Sequence, residues 1–130
     1  MGKQVTLVLG GGAARGLAHI GVIRVLEDEG FNISAITGTS MGALVGGIYA
    51  AGKLDNYTDW VTSLTKKDVI QYLDVSFRAK SGILKGDLIM EALRDFVGDV
   101  SIESLTIPFL AVATDLTARK EVWITRGNLF

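Results

Sequence analysis

The 130-residue sequence has no cysteine, one histidine and one proline. Without cysteine there is no disulfide and no thiolate metal site, and one histidine is too few for a histidine-rich one. The lack of cysteine also fits a reducing cytoplasm. Thirteen basic side chains face fourteen acidic ones, so the positive excess of a nucleic-acid binder is missing. No apolar leader with a cleavage site is expected from the opening MGKQVTLVLGGG, which reads directly as a strand and a glycine turn. Charge is absent between Gly30 and Gly52, a stretch long enough to suggest a membrane span. Asn32, Ser34, Thr37, Gly38, Thr39, Ser40 and Gly42 interrupt it, and a strand, a turn and a buried helix account for it better. No repeat, low-complexity tract or interdomain linker divides the chain.

What is present is a folded, globular composition, 48% hydrophobic and 21% charged, of a size for one domain or part of one. Val5–Leu9 is a β-rich apolar run without alternation, which predicts a strand buried on both faces. A helical pattern runs from Ala14 to Glu29, with Gly30 where a C-terminal cap is expected. Ile33–Thr37 is a second strand, and Met41–Ala51 a helix of small residues that must pack closely. Further on, Asp55 is placed to cap a helix reaching Leu64, and Lys66–Leu73 reads as a short helix. Asp74–Gly86 reads as a loop or flap, and Asp87 as the cap of an amphipathic helix ending near Phe96. Phe109–Ala113 is another buried strand, and Glu121–Thr125 pairs back on it through the turn at 114–120. Strands alternating with helices in this order predict an α/β domain with a mainly parallel sheet.

The sharpest motif is Gly38-Thr39-Ser40-Met41-Gly42, a G-x-S-x-G pentapeptide between a strand and a helix. A tight turn there lifts the serine hydroxyl above the sheet, and the helix N-terminus offers free N–H groups to a developing oxyanion. The plainer alternative is that Thr39 and Ser40 only cap the helix. The second motif, Leu9 to Gly16 (LGGGAARG), also joins a strand to a helix. A dinucleotide turn would need G-x-G-x-x-G and an acid after the second strand, and a phosphate loop would need Gly-Lys-Ser/Thr. Neither is present. An oxyanion loop remains, its backbone N–H groups converging with that of Met41 on a carbonyl attacked by Ser40. Adjacent parallel strands would bring both turns to one sheet edge.

GGGAARGLAHIGVIRVLEDEG followed by ITGTSMGALVGGIYA resembles the opening of bacterial patatin-like proteins, and FLAVATDLTARKEVWITRGNL resembles a later segment of the same family. The resemblance covers nearly the whole chain. It implies a three-layer α/β/α sandwich and a serine hydrolase of lipid acyl esters, of phospholipase, lysophospholipase or esterase type. The chemistry would use a Ser–Asp dyad and needs neither metal nor cofactor. Ser40 falls on the nucleophile. Gly11, Gly12, Ala13 and Met41 fall on the oxyanion hole, with Arg15, Gly16, Gly38 and Gly42 as supporting motif positions. Ala13 stands where the family often has glycine, a departure that costs only if the position needs a positive φ. The family's Asp lies in a D-G-G or D-G-A segment, and no Asp-Gly pair occurs here. Residues 1–130 are therefore expected to be the N-terminal part of one patatin-like domain, truncated at the C-terminus and inactive alone.

Other residues admit two readings each. Asp115 could serve as a base but reads as a turn residue binding nearby backbone. His19 could do the same, yet fits a packed or hydrogen-bonded helix residue. Arg15 could bind a lipid phosphate or fasten the glycine loop. Trp60, Tyr72, Phe77, Ile83 and Leu84 could line an acyl-binding surface or a membrane-facing flap, or simply pack. The expected partners are a lipid or ester substrate, a membrane surface touched peripherally, and another copy of the chain or its missing segment; nucleic acid is not among them. The alternative function is a non-catalytic binding or interaction module.

Overall fold

Runs of β-branched residues pair into a sheet, and the helices between them cover one of its faces. A computed structural model describes residues 2–68 and 83–130, with the backbone alone for 83–88. Strand β1 (Lys3–Leu9) leads through a 3-10 turn at Ala13–Leu17 into helix α1 (Ala18–Asp28). Strand β2 (Phe31–Gly38), helix α2 (Met41–Ala50) and helix α3 (Leu54–Ser63) follow. Helix α4 (Ile83–Val97), a second 3-10 turn at Ile102–Ser104, strand β3 (Phe109–Asp115) and strand β4 (Lys120–Ile124) complete the described elements. The sheet order is β1-β2-β3-β4, with β1, β2 and β3 parallel and β4 antiparallel to β3. The fold is thus α/β with a mainly parallel sheet.

Both crossovers step the same way along the sheet, and right-handed connections then put α1 and α2 on the same face. Against that face Leu9, Ile33, Ile36 and Phe109 meet Ile20, Ile23, Met41, Val45 and Ile48 in one core. The small residues of α2 allow the close approach the sequence suggested: a Cβ on Gly46 would stand 2.7 Å from a methyl of Ile36. Trp60 packs on Tyr57 and Phe96, with ring centroids 5.9 and 5.2 Å away, so it belongs to the packed interior rather than to a flap. Burial pushes the Tyr57 phenol up to about 12.

β1 is not buried on both faces as its composition predicts. Val5, Leu7 and Leu9 turn inward, while Gln4, Thr6 and Val8 are exposed, Val8 by 77%. On β4, Trp123 is likewise 64% exposed. An unalternating apolar run reports what both faces could bury, and the described residues cover only one. The β1–β2 ladder also carries a bulge. Val5 pairs with Ile33 and Thr6 with Ala35, which leaves Ser34 as an extra residue. The Ser34 hydroxyl donates to the Val5 carbonyl at 3.1 Å. As a result Ile33 and Ile36, three apart, both face the core.

Several boundaries differ from the sequence expectation. The helical pattern beginning at Ala14 opens as a 3-10 turn, closed by the Arg15 N–H on the Gly12 carbonyl at 3.0 Å. Gly30, at φ 76, ends the following helix as expected. Asp55 is not a cap, because α3 starts at Leu54 with Lys53 at the N-cap. Asp55 sits in the first turn, where its charge suits the helix dipole, and pairs with Arg24 at 2.8 Å. Asp87 is inside α4, which begins four residues earlier; Gly86 suggests a break, but a helix interior tolerates one glycine at a cost of about 1 kcal/mol. Of the short helix expected at 66–73, residues 66–68 are helical; the remainder, most of the loop at 74–86, and Tyr72 and Phe77 lie outside the described residues. The side chains of Ile83 and Leu84 do so as well.

Candidate active site

Leu9 pairs with Gly38, so β1 and β2 end level and their two following turns meet at one sheet edge. The Thr39 N–H donates to the Leu9 carbonyl at 3.1 Å, tying the turns together. Ser40 sits at the N-cap of α2 with φ 54 and ψ −127, a backbone state that non-glycine residues rarely adopt. Its hydroxyl makes no capping hydrogen bond, which removes the plain capping reading. The residue is exposed. Something must hold this strain, and the flanking glycines do so by close contact. A Cβ on Gly42 would lie 2.1 Å from the Leu9 carbonyl oxygen, and one on Gly38 would lie 2.5 Å from the Gly42 carbonyl group. Neither distance is physically possible.

The glycine loop lies alongside. A Cβ on Gly11 would stand 3.4 Å from the Ser40 Cβ and 3.9 Å from its Oγ. Gly16 rests on Met41, whose Cγ a Cβ there would approach to 2.4 Å. Gly12 has φ 151 and Ala13 φ 47, so the position where the family favours glycine does need a positive φ, and here alanine bears it. Met41 opens α2, so its N–H has no acceptor one turn back. No acidic residue occupies the first turn of α2, which leaves the positive end of the helix dipole uncompensated beside Ser40. The Arg15 side chain is exposed and makes no hydrogen bond among the described residues, so it does not fasten the loop.

Ser40 opens on a cavity of about 340 Å³ lined by Leu44, Met90, Phe109, Ala111, Ile124 and Leu129 among others. Among the described residues, no Asp, Glu or His lines it. Asp115 is engaged elsewhere: its carboxylate accepts the N–H groups of Thr117 and Ala118 at 2.9 and 2.8 Å, the turn role expected of it. His19 is a hydrogen-bonded helix residue, with Nε2 2.8 Å from the Gly10 carbonyl oxygen. The sequence expectation missed the cavity walls. Only Leu44, one helical turn beyond Ser40, carried a spacing signal; the rest come together through the β3–β4 hairpin and the chain after it.

A mainly parallel sheet, with a serine strained on a strand-to-helix turn and a glycine loop beside it, defines the architectural class: an α/β protein whose two turns share one sheet edge. Within that class, residues 7–129 match the model of the patatin-like phospholipases, and the chain belongs to that family. It is similar to an NTE family protein of Mycobacterium tuberculosis, 53% identical over 126 residues, which cover 97% of this chain and 35% of the relative. It is also similar to the neuropathy target esterase of Drosophila melanogaster, 34% identical over 134 residues, covering 99% of this chain and 9% of the relative. The chain thus spans about a third of the mycobacterial protein's length and about a tenth of the insect esterase's. No helix among the described residues is long and apolar enough to cross a membrane.

Proposed function

We propose that this chain carries the nucleophile half of a patatin-like domain that hydrolyses lipid acyl esters. One observation carries the reading: Ser40 holds strained backbone angles, with a hydroxyl free of any capping bond, at the mouth of an apolar cavity. Strain of this kind persists only where the surroundings enforce it, and it gathers at functional sites. A carboxylate base takes the Ser40 proton as Oγ bonds to the ester carbonyl carbon. The carbonyl electrons move onto oxygen, which the N–H groups of Gly11, Gly12, Ala13 and Met41 receive. Collapse expels the alcohol with that proton, and water releases the acid by the same route. The cavity suits an acyl chain, and the substrate would be met at a membrane surface. The base would come from the family's D-G-G or D-G-A segment, which residues 1–130 do not contain. Alone, these residues should turn over esters at no more than a trace rate.

A non-catalytic interaction module is the second reading, favoured by the lack of any Asp, Glu or His in the cavity lining among the described residues. A fluorophosphonate probe and p-nitrophenyl butyrate separate the two in the full-length gene product. Labelling at Ser40 and turnover, both lost in Ser40→Ala with an unchanged melting temperature, are the expected results. A folded protein that neither labels nor turns over favours the interaction module. Normal turnover by Ser40→Ala would falsify the nucleophile assignment, and turnover lost in Asp115→Asn would move the base to Asp115.

A further inference from the structure

A loop of three successive glycines has little to hold its peptide planes. An oxyanion hole built on it depends on which way those planes face. If one flips, an N–H that would attract the oxyanion is replaced by a carbonyl that repels it. His19, the second residue of α1, reaches back across nine residues, and its Nε2 lies 2.8 Å from the Gly10 carbonyl oxygen. A carbonyl oxygen only accepts, so Nε2 must carry the hydrogen.

No peptide bond among the described residues is cis, so the Gly11 N–H points opposite to the Gly10 carbonyl. That carbonyl is also confined on a second side, where a Cβ on Gly42 would come within 2.5 Å of its oxygen. Gly11 itself abuts Ser40. We propose that His19 is a positioning residue for the oxyanion loop: by gripping the Gly10 carbonyl from a helix, it keeps the Gly11 N–H turned to the side on which Ser40 attacks. This role rests on the reading of Ser40 as nucleophile. It does not make His19 a base, since its hydrogen-bonding nitrogen is already committed to the backbone.

The test compares His19→Ala, His19→Gln and His19→Asn in the full-length gene product with p-nitrophenyl butyrate as substrate. Deleting an oxyanion donor outright costs about 10²–10³ in kcat, and loosening one should cost less. His19→Ala is expected to lower kcat about 10- to 100-fold with KM nearly unchanged. Gln places an amide N–H where Nε2 stood and should recover most of the lost rate. Asn, one bond shorter, should not. In the native protein, 15N NMR of the imidazole should show the Nε2–H tautomer. Full kcat in His19→Ala, equal rates in the Gln and Asn variants, or an Nδ1–H tautomer would each overturn the proposal while leaving Ser40 in place. Turnover that survives Ser40→Ala would remove the nucleophile and this role together. If His19→Ala fails to fold, the tautomer and the Gln-against-Asn contrast still decide.

Discussion

The two turns at the sheet edge each hold a non-glycine residue at positive φ, Ser40 at 54° in one and Ala13 at 47° in the other. They do so under different constraints. Around Ser40 the packing leaves no slack: Gly38, Gly42 and the end of β1 approach within distances that exclude a methyl group. Ala13 is exposed, and its methyl group has no part in the proposed chemistry. A backbone cost of about 1–3 kcal/mol is therefore attached to a free hydroxyl in one turn and to an exposed methyl in the other. Strain by itself does not distinguish the two turns; the packing that encloses it around Ser40 does.

Ser40→Gly sharpens the contrast most. Turnover of p-nitrophenyl butyrate by the full-length gene product should fall about 10⁴-fold or more, since the nucleophile is gone. Its thermal stability should nonetheless rise, because glycine accepts the backbone angles freely. A melting temperature below the native one would show that the turn is not strained as described.

Gly42→Ala breaks the comparison from the packing side. The added methyl cannot coexist with the Leu9 carbonyl, so β1 or α2 must shift. Overpacking of this kind costs about 1–3 kcal/mol, measurable by urea denaturation, and the displaced serine should lose labelling by a fluorophosphonate. Native stability in this variant would mean that the turn has room for a methyl group at Gly42.

The smallest effect is expected from Ala13→Gly. Relief of the backbone should outweigh the added freedom of the unfolded chain, for a gain of about 0.5–1 kcal/mol, read by urea denaturation. A loss of stability would show that the Ala13 methyl does packing work.

Much of this was legible beforehand, for physical reasons that differ by region. The tight turn at Gly38–Gly42 was readable because glycines that allow a close approach leave a fixed spacing around Ser40. The parallel sheet and the β3–β4 hairpin followed from apolar runs separated by turn residues, with Asp115 marking the turn by its appetite for backbone N–H groups. The open face of β1 was not readable. A run such as VTLVL states an affinity for burial, and whether a layer lies over Val8 is decided elsewhere in the chain. The start of α4 was misplaced because Gly86 and Asp87 are breaking and capping residues only where the flanking apolar pattern allows it. The cavity walls were unreadable for want of local signal, since Met90, Ile124 and Leu129 come from separate elements.

Ser34 sets the phase of everything after it. Side chains in a strand alternate between faces, so one additional residue reverses the assignment of all that follow. Before Ser34, odd-numbered Ile33 faces the helices; after it, even-numbered Ile36 and Gly38 do. Gly38 must face that way to lie under Gly42. Were Ser34 drawn into the regular ladder instead of standing out as a bulge, Ile36 would turn toward the open face and the approach of Gly38 to α2 would be lost, with the sequence of the Gly38–Gly42 turn unchanged. One residue placed six positions upstream thus has the force of a frameshift in space: no motif changes, yet the motif no longer lands on its site.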